Sequence, residues 1–335
     1  MPGLRTRGGM LAIVVSAALV LAIGLAAAGA FRGCAPATQK EGRPSQAVSA
    51  TAYGAVARVT AKAFAGTVPH RVADTWGEIK AREFVFDTFQ QYGYFPRTQE
   101  FLAGKGARRV HSANIVAVKQ GESAERLIIG AHYDSSPAGQ GYSDNASGVG
   151  LLLETAARIK AQVTPYTLVF IAFGAEERGL AGSRYYARTM DDLERSATLG
   201  MIDLDAVAGG DQLSVVSRFG GATWLRDDTL AAAKSLGITL GSSPAAGGRP
   251  AGVVLAPSDD EPFALQDIAT ATLTATNWGA SGSGLVPTAE GRLWHTRRDT
   301  VAYIEETYPG RMRRQLADLS RLLEAMLTSK LEKRP

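Results

Sequence analysis

Two short apolar runs organise the pattern of the chain. Leu127 to Ala131 is rich in β-formers and ends in His132-Tyr133-Asp134, and Tyr166 to Phe173 is nearly continuous, bounded by Pro165 and Gly174. Runs this short and this apolar are expected of sheet strands covered on both faces. Smaller β-like runs lie at 98–102 and 113–118, and further strands are expected at 199–207 and 268–276. Between them the period is helical. The pattern turns helical from Ala52, and Ile79, Phe84, Phe86, Phe89 and Tyr92 mark an amphipathic helix closed by Gly93. Val149, Leu152, Leu153, Ala156 and Ile159 form the apolar face of a second helix, and residues 223–236 read as a third. A last helix over 301–329 turns Leu316, Leu319, Leu322, Leu323 and Met326 inward. Segments 240–252 and 279–284, rich in glycine and serine, read as loops. This alternation argues for a single α/β domain over residues 51–330.

The N-terminus has another character. Residues 10–31 form an uncharged apolar run after Arg5 and Arg7, long enough to span a bilayer with the N-terminus in the cytoplasm. Residues 1–34 therefore read as a membrane anchor, or as a signal segment cleaved near Ala28-Gly29-Ala30. Either way the domain is extracytoplasmic, anchored or secreted. Residues 35–50, with Pro36, Gly42 and Pro44, read as a flexible linker. Cys34 is the only cysteine, which excludes an internal disulfide, and Arg32 argues against lipid attachment there.

Composition is that of a globular protein, 45% apolar and 20% charged. Much of the net charge of +4 comes from terminal Arg5, Arg7, Arg32, Lys330, Lys333 and Arg334, and no basic stripe is interleaved with aromatics. No nucleic-acid partner is expected. The sequence carries no signal for an oligomeric state.

The chemistry gathers at strand ends. His132, Asp134, Asp144, Glu176, Glu177, Asp205 and His295 all lie at or just after apolar runs or loops that follow them. In open α/β sheets that is where ligands collect. Taken singly, each has an ordinary reading: a hydrogen-bonded histidine, an N-cap at Asp144, solvated glutamates at 176 and 177. Together, imidazoles and carboxylates are the donor set of zinc or a similar divalent ion. So many acids at the edge of an apolar sheet repel one another unless a cation joins them. His70 and His111 belong to no motif and read as structural or surface, while Tyr133, Tyr142 and Trp294 suit a substrate pocket and packing equally. No Gly-x-Ser-x-Gly elbow or His-Glu-x-x-His motif is present, which disfavours serine-hydrolase and gluzincin chemistry.

The segments His132-Tyr133-Asp134, Ser143 to Gly148, Phe173 to Leu180 with Gly182-Ser183, Asp203-Leu204-Asp205 and His295-Thr296 with Asp299-Thr300, in that order, resemble the co-catalytic zinc aminopeptidase family. That family includes bacterial leucyl aminopeptidases, glutamate carboxypeptidases and, more distantly, glutaminyl cyclases. The resemblance covers about residues 70–325. It implies a three-layer α/β/α sandwich with a mixed, mainly parallel central sheet and two Zn2+ ions per chain. His132, Asp144 and Asp205 would hold one ion and Asp144, Glu177 and His295 the other, with Asp144 bridging. Glu176 would be the general base, Asp134 would hold the second nitrogen of His132, and Asp299 would support His295. The implied activity is removal of N-terminal residues from a peptide or aminoacyl substrate. Two alternatives stay open: glutaminyl cyclization with one zinc, suggested by Trp294 before His295, and a non-catalytic receptor or scaffold on the same fold.

The chain departs from the family twice. In Ser258-Asp259-Asp260-Glu261-Pro262-Phe263 an acid replaces a histidine, which leaves side-chain preference open and favours a basic substrate. Asp203 stands where asparagine is common, a change expected to alter only the support of Asp205.

Overall fold

In a computed structural model, which describes residues 48, 50–104, 106, 109–218, 221–243, 255–281 and 286–331, the two apolar runs lie side by side at the centre of one sheet. The expected anchor at 10–31 lies outside the described residues, as does most of the linker; among the described residues no helix is long and apolar enough to cross a membrane. The strands are β1 (Arg97–Ala103), β2 (Val110–Lys119), β3 (Ser123–His132), β4 (Tyr166–Phe173), β5 (Thr198–Leu204), β6 (Gln212–Val216), β7 (Gly241–Ser242) and β8 (Ala269–Thr276). Their spatial order is β1-β2-β4-β3-β5-β8-β6-β7. β4, β3, β5 and β8 are mutually parallel, whereas β1 and β2, β2 and β4, and β8 and β6 pair antiparallel.

Both faces of the central strands are covered, which is why their sequences run apolar without alternation. Leu127, Ile129, Ala131, Leu168, Phe170 and Ile202 pack under α1 (Ala55–Thr67), α2 (Trp76–Gln91) and α3 (Gly148–Ile159). The intervening Ile128, Val169, Ile171, Phe173 and Met201 meet Tyr186 and Ala187 of α4 (Ala181–Thr189), with Met190 and Phe263. Further helices are α5 (Trp224–Ser235) and α6 (Arg311–Thr328), whose Leu316, Leu319, Leu322, Leu323 and Met326 are buried as expected. The chain leaves β3 through α3 on one face and returns from β4 through α4 on the other. The carboxyl end of β3 therefore opens a crevice of the kind that binds ligands.

Three expectations change. The last helix is not continuous over 301–329: a short helix Val301–Thr307 precedes α6, separated by Pro309 and by Gly310 at φ +73°. Proline cannot continue the helix and glycine accepts the left-handed turn. The strand expected to reach 207 ends at Leu204, since Ala206 turns at φ +46°. β6, β7 and α4 extend the regular structure beyond the elements expected.

Glu154 ties this frame together. Fully buried in α3, its carboxylate accepts from Gly54 N (2.8 Å) and Ala57 N (2.6 Å) at the start of α1, from Arg158 Nε (2.7 Å) and from Ser320 Oγ of α6 (2.6 Å). Glu154→Ala leaves a buried guanidinium without its closest acid and α1 without its cap. The expected loss is about 3–5 kcal/mol of unfolding free energy, read from urea denaturation; a loss under about 1 kcal/mol would assign Glu154 a minor role.

Candidate metal centre

The side chains at the crevice are carried by loops that begin where strands stop. His132 is the last residue of β3, Glu176 and Glu177 open a single turn after β4, and Asp205 directly follows β5. Asp144 lies in an irregular turn, residues 142–147, ahead of α3, so it is not an N-cap: Ser147 holds that position. Ala175, Ala206 and His295, each next to or within the set, adopt positive φ of 56°, 46° and 55°. Non-glycine residues pay about 1–2 kcal/mol each for that conformation, and such strain collects at functional sites.

The donors converge in two groups. His132 Nε2 lies 3.1 Å from Asp144 Oδ1 and 3.4 Å from Asp205 Oδ1. His295 Nε2 lies 3.2 Å from Asp144 Oδ2 and 3.0 Å from Glu177 Oε2. Asp144 thus turns one oxygen to each histidine, and within each trio the donor atoms lie inside 4.8 Å of one another. Glu176 belongs to neither trio but lines the same cleft, with Val216, Arg218, Thr272, Trp278 and Trp294 among its walls.

Electrostatics show what this arrangement lacks. Burial and the nearby Asp259, Asp205 and Asp134 push Glu176 well above the usual carboxylate range, and Glu177 is raised chiefly by burial. Burial also opposes the charge of Asp144, yet hydrogen bonds from His132 and His295 hold it below its ordinary value. His295 is raised to about 10 by its hydrogen bonds to Asp144 and Glu177. His132 is raised well above the imidazole range despite burial, by Glu176 and by Asp134, Asp144 and Asp205. The acids around each imidazole therefore favour its protonated form. A divalent cation at each would displace that proton and use the same nitrogen. Among the described residues the buried Glu177 Oε1, on a donor of the second trio, also lacks a hydrogen-bond partner. Donor chemistry and charge both fit the metal implied by the resemblance.

The supporting residues differ in detail from expectation. Asp134 Oδ1 is 3.6 Å from His132 Nδ1, too long for a hydrogen bond. Its oxygens instead accept from the backbone N–H of Glu176 (3.0 Å) and Glu177 (3.1 Å), which fixes the turn carrying both. Asp299 accepts from Ser143 N (2.6 Å) and Asp144 N (3.1 Å), so its hydrogen bonds hold the Asp144 loop rather than His295. Ser258 Oγ sits between Asp203 Oδ2 (2.5 Å) and Asp205 Oδ2 (2.8 Å), linking the extra acid to Asp205, and burial keeps Asp203 well above its ordinary pKa. Tyr133 and Tyr142 are fully buried and hydrogen-bonded to Ala113 O and Glu305, a packing role; Trp294 lines the cleft and donates to Ser143 Oγ at 3.3 Å. Asp260 is buried against Arg218, whose Nε lies 2.7 Å from its Oδ1. Its charge is neutralised within the protein, and the ground for favouring a basic substrate is gone. Arg71 and Arg218 carried no sequence signal, because most of their partners are distant along the chain.

Comparisons with known proteins speak to the family and the fold. Residues 114–320 match the model of peptidase family M28. Over 306 residues the chain is 29% identical to the alkaline phosphatase isozyme conversion protein of Escherichia coli K12, covering 81% of this chain and 88% of that protein. It is 29% identical over 203 residues to aminopeptidase YwaD of Bacillus subtilis strain 168, covering 58% of this chain and 41% of the relative. Among solved structures, a zinc aminopeptidase from Bacillus subtilis matches with a TM-score of 0.68 at 16% identity, covering 84% of this chain and 97% of that one. Porphyromonas gingivalis glutaminyl cyclase matches with a TM-score of 0.65 at 19% identity, covering 82% and 98%. At such identities the structural likeness speaks to the fold.

Proposed function

The chain belongs to peptidase family M28, and on that premise we propose that it is a zinc-dependent aminopeptidase that releases N-terminal residues from peptide or aminoacyl substrates. The observation that carries the reading is Asp144, whose two oxygens face two separate histidine-and-carboxylate groups. His132, Asp144 and Asp205 would hold one zinc and Asp144, Glu177 and His295 the other, so two ions per chain share one carboxylate. When bound, the ions supply Lewis acidity at the scissile carbonyl and positive charge for the developing oxyanion. Glu176 takes a proton from the attacking water and delivers it to the leaving amine. It stands outside both donor trios, so its carboxylate is free to take up that proton. Asp134 holds the Glu176–Glu177 backbone so that one glutamate meets a cation and the other the substrate. The N-terminal residue of the substrate enters the cleft walled by Val216, Thr272 and Trp278. The apolar run at 10–31 supports an extracytoplasmic domain, anchored or secreted.

A second reading, glutaminyl cyclization, draws on Trp294 beside His295; the complete second donor trio weighs against it. The zinc-loaded protein, assayed with a panel of aminoacyl-p-nitroanilides and a peptide with N-terminal glutamine, separates the two. Hydrolysis of several anilides is expected. Release of ammonia from the glutaminyl peptide without any anilide hydrolysis would replace the aminopeptidase reading.

A further inference from the structure

Arg71 is fully buried, and among the described residues the hydrogen bonds of its guanidinium go to backbone carbonyls rather than to a carboxylate. Nε donates to Tyr133 O (2.8 Å), Nη1 to Gln140 O (2.9 Å) and Val68 O (3.2 Å), and Nη2 to Gly141 O (2.9 Å). Its backbone grips the same region: Arg71 N donates to Ser135 Oγ (3.0 Å) and Arg71 O accepts from Ser135 N (3.1 Å). A guanidinium without solvent ordinarily sits on an acid. Here it is spent on joining chain segments. Tyr133 lies between His132 and Asp134, and Gly141 begins the turn that presents Asp144.

We propose that Arg71 is a positioning residue for the metal centre, fastening the strand end that carries His132 to the loop that carries Asp144 and so setting the spacing of those two donors. This rests on the reading that His132 and Asp144 hold a cation together. A second position supports it independently. Gly141 adopts φ +58°, and a Cβ there would come within 2.7 Å of Arg71 Nη2, 2.7 Å of Asp144 O and 2.8 Å of Ser135 Cβ. The loop is shaped to let the guanidinium dock. Phe64 lies beneath it, with the guanidinium carbon 4.5 Å from the ring centroid, which fixes its plane. Asp299, Asp134, Asp144 and Glu177 surround it at longer range, and although burial lowers its pKa to about 10 it keeps its proton at neutral pH. Lysine cannot substitute. One ammonium lacks the planar fork needed to reach carbonyls of three segments at once.

The test is the zinc affinity of native protein, Arg71→Lys, Arg71→Gln and Gly141→Ala, measured by chelator competition, with the absorption spectrum of the cobalt-substituted forms and the melting temperature of the cation-free forms alongside. The variants are expected to bind zinc about 10–100-fold more weakly, with an altered cobalt spectrum. Gly141→Ala keeps the guanidinium but its Cβ presses on Asp144 O as well as on Arg71 Nη2, so Arg71→Gln decides the matter if Arg71→Lys does not fold. Zinc affinity within twofold of native and an unchanged cobalt spectrum in a folded variant would overturn the proposal and leave Arg71 a core-packing residue, even if the melting temperature falls. Failure of the native protein to bind zinc would bring down the metal-centre reading and this proposal together.

Discussion

Glu176→Gln is expected to lower kcat/KM for peptide hydrolysis by about 10²–10⁴-fold while leaving zinc content at the native value. Glutamine keeps the shape of the side chain but takes no proton from water. Glu176 stands outside both donor trios, so its loss removes no ligand. The backbone N–H of the residue remains on Asp134, which preserves the turn. Steady-state kinetics and metal analysis on one preparation check both halves. Turnover within tenfold of native would remove Glu176 from the base role, and loss of zinc would recast it as a ligand.

Removal of zinc by a chelator is expected to abolish hydrolysis, and added zinc to restore it. Without a cation, hydrogen bonds to Asp144 and Glu177 raise His295 to about 10, and the surrounding acids raise His132 well above its ordinary value. Zinc must displace protons from the nitrogens it uses. Binding at pH 7 is therefore expected to release protons from the imidazoles. Affinity should fall as pH is lowered, since protons and zinc compete for the same atoms. Calorimetry in buffers of differing ionisation enthalpy measures the release. Hydrolysis that persists after metal is stripped, or zinc binding with no proton release, would contradict the account.

The central strands were legible because burial on both faces leaves a short unbroken apolar run, as at Tyr166–Phe173. The site was legible because His132, Glu176, Glu177 and Asp205 each sit where such a run stops, and their order along the chain matches a known pattern. The supports were not. Asp134 and Asp299 act on backbone N–H groups, and which N–H lies within reach is set by loop conformation rather than by spacing. Arg218 and Asp260 are neutralised by each other across a long stretch of chain, so the sequence displayed an acid where the fold has an ion pair. β6 is a short strand, Gln-Leu-Ser-Val-Val, too brief to announce itself. In the last helix the apolar spacing continued past Pro309-Gly310 and hid the break between Thr307 and Arg311.

Two cations joined through Asp144 are the premise beneath both the base role of Glu176 and the clamp of Arg71. Crystals of the zinc-loaded protein, measured at the zinc absorption edge, test it most directly. Two anomalous peaks are expected, one between His132 and Asp205 and one between Glu177 and His295, with a different oxygen of Asp144 on each. A single peak, or peaks that leave Asp144 uncoordinated, would contradict the shared carboxylate.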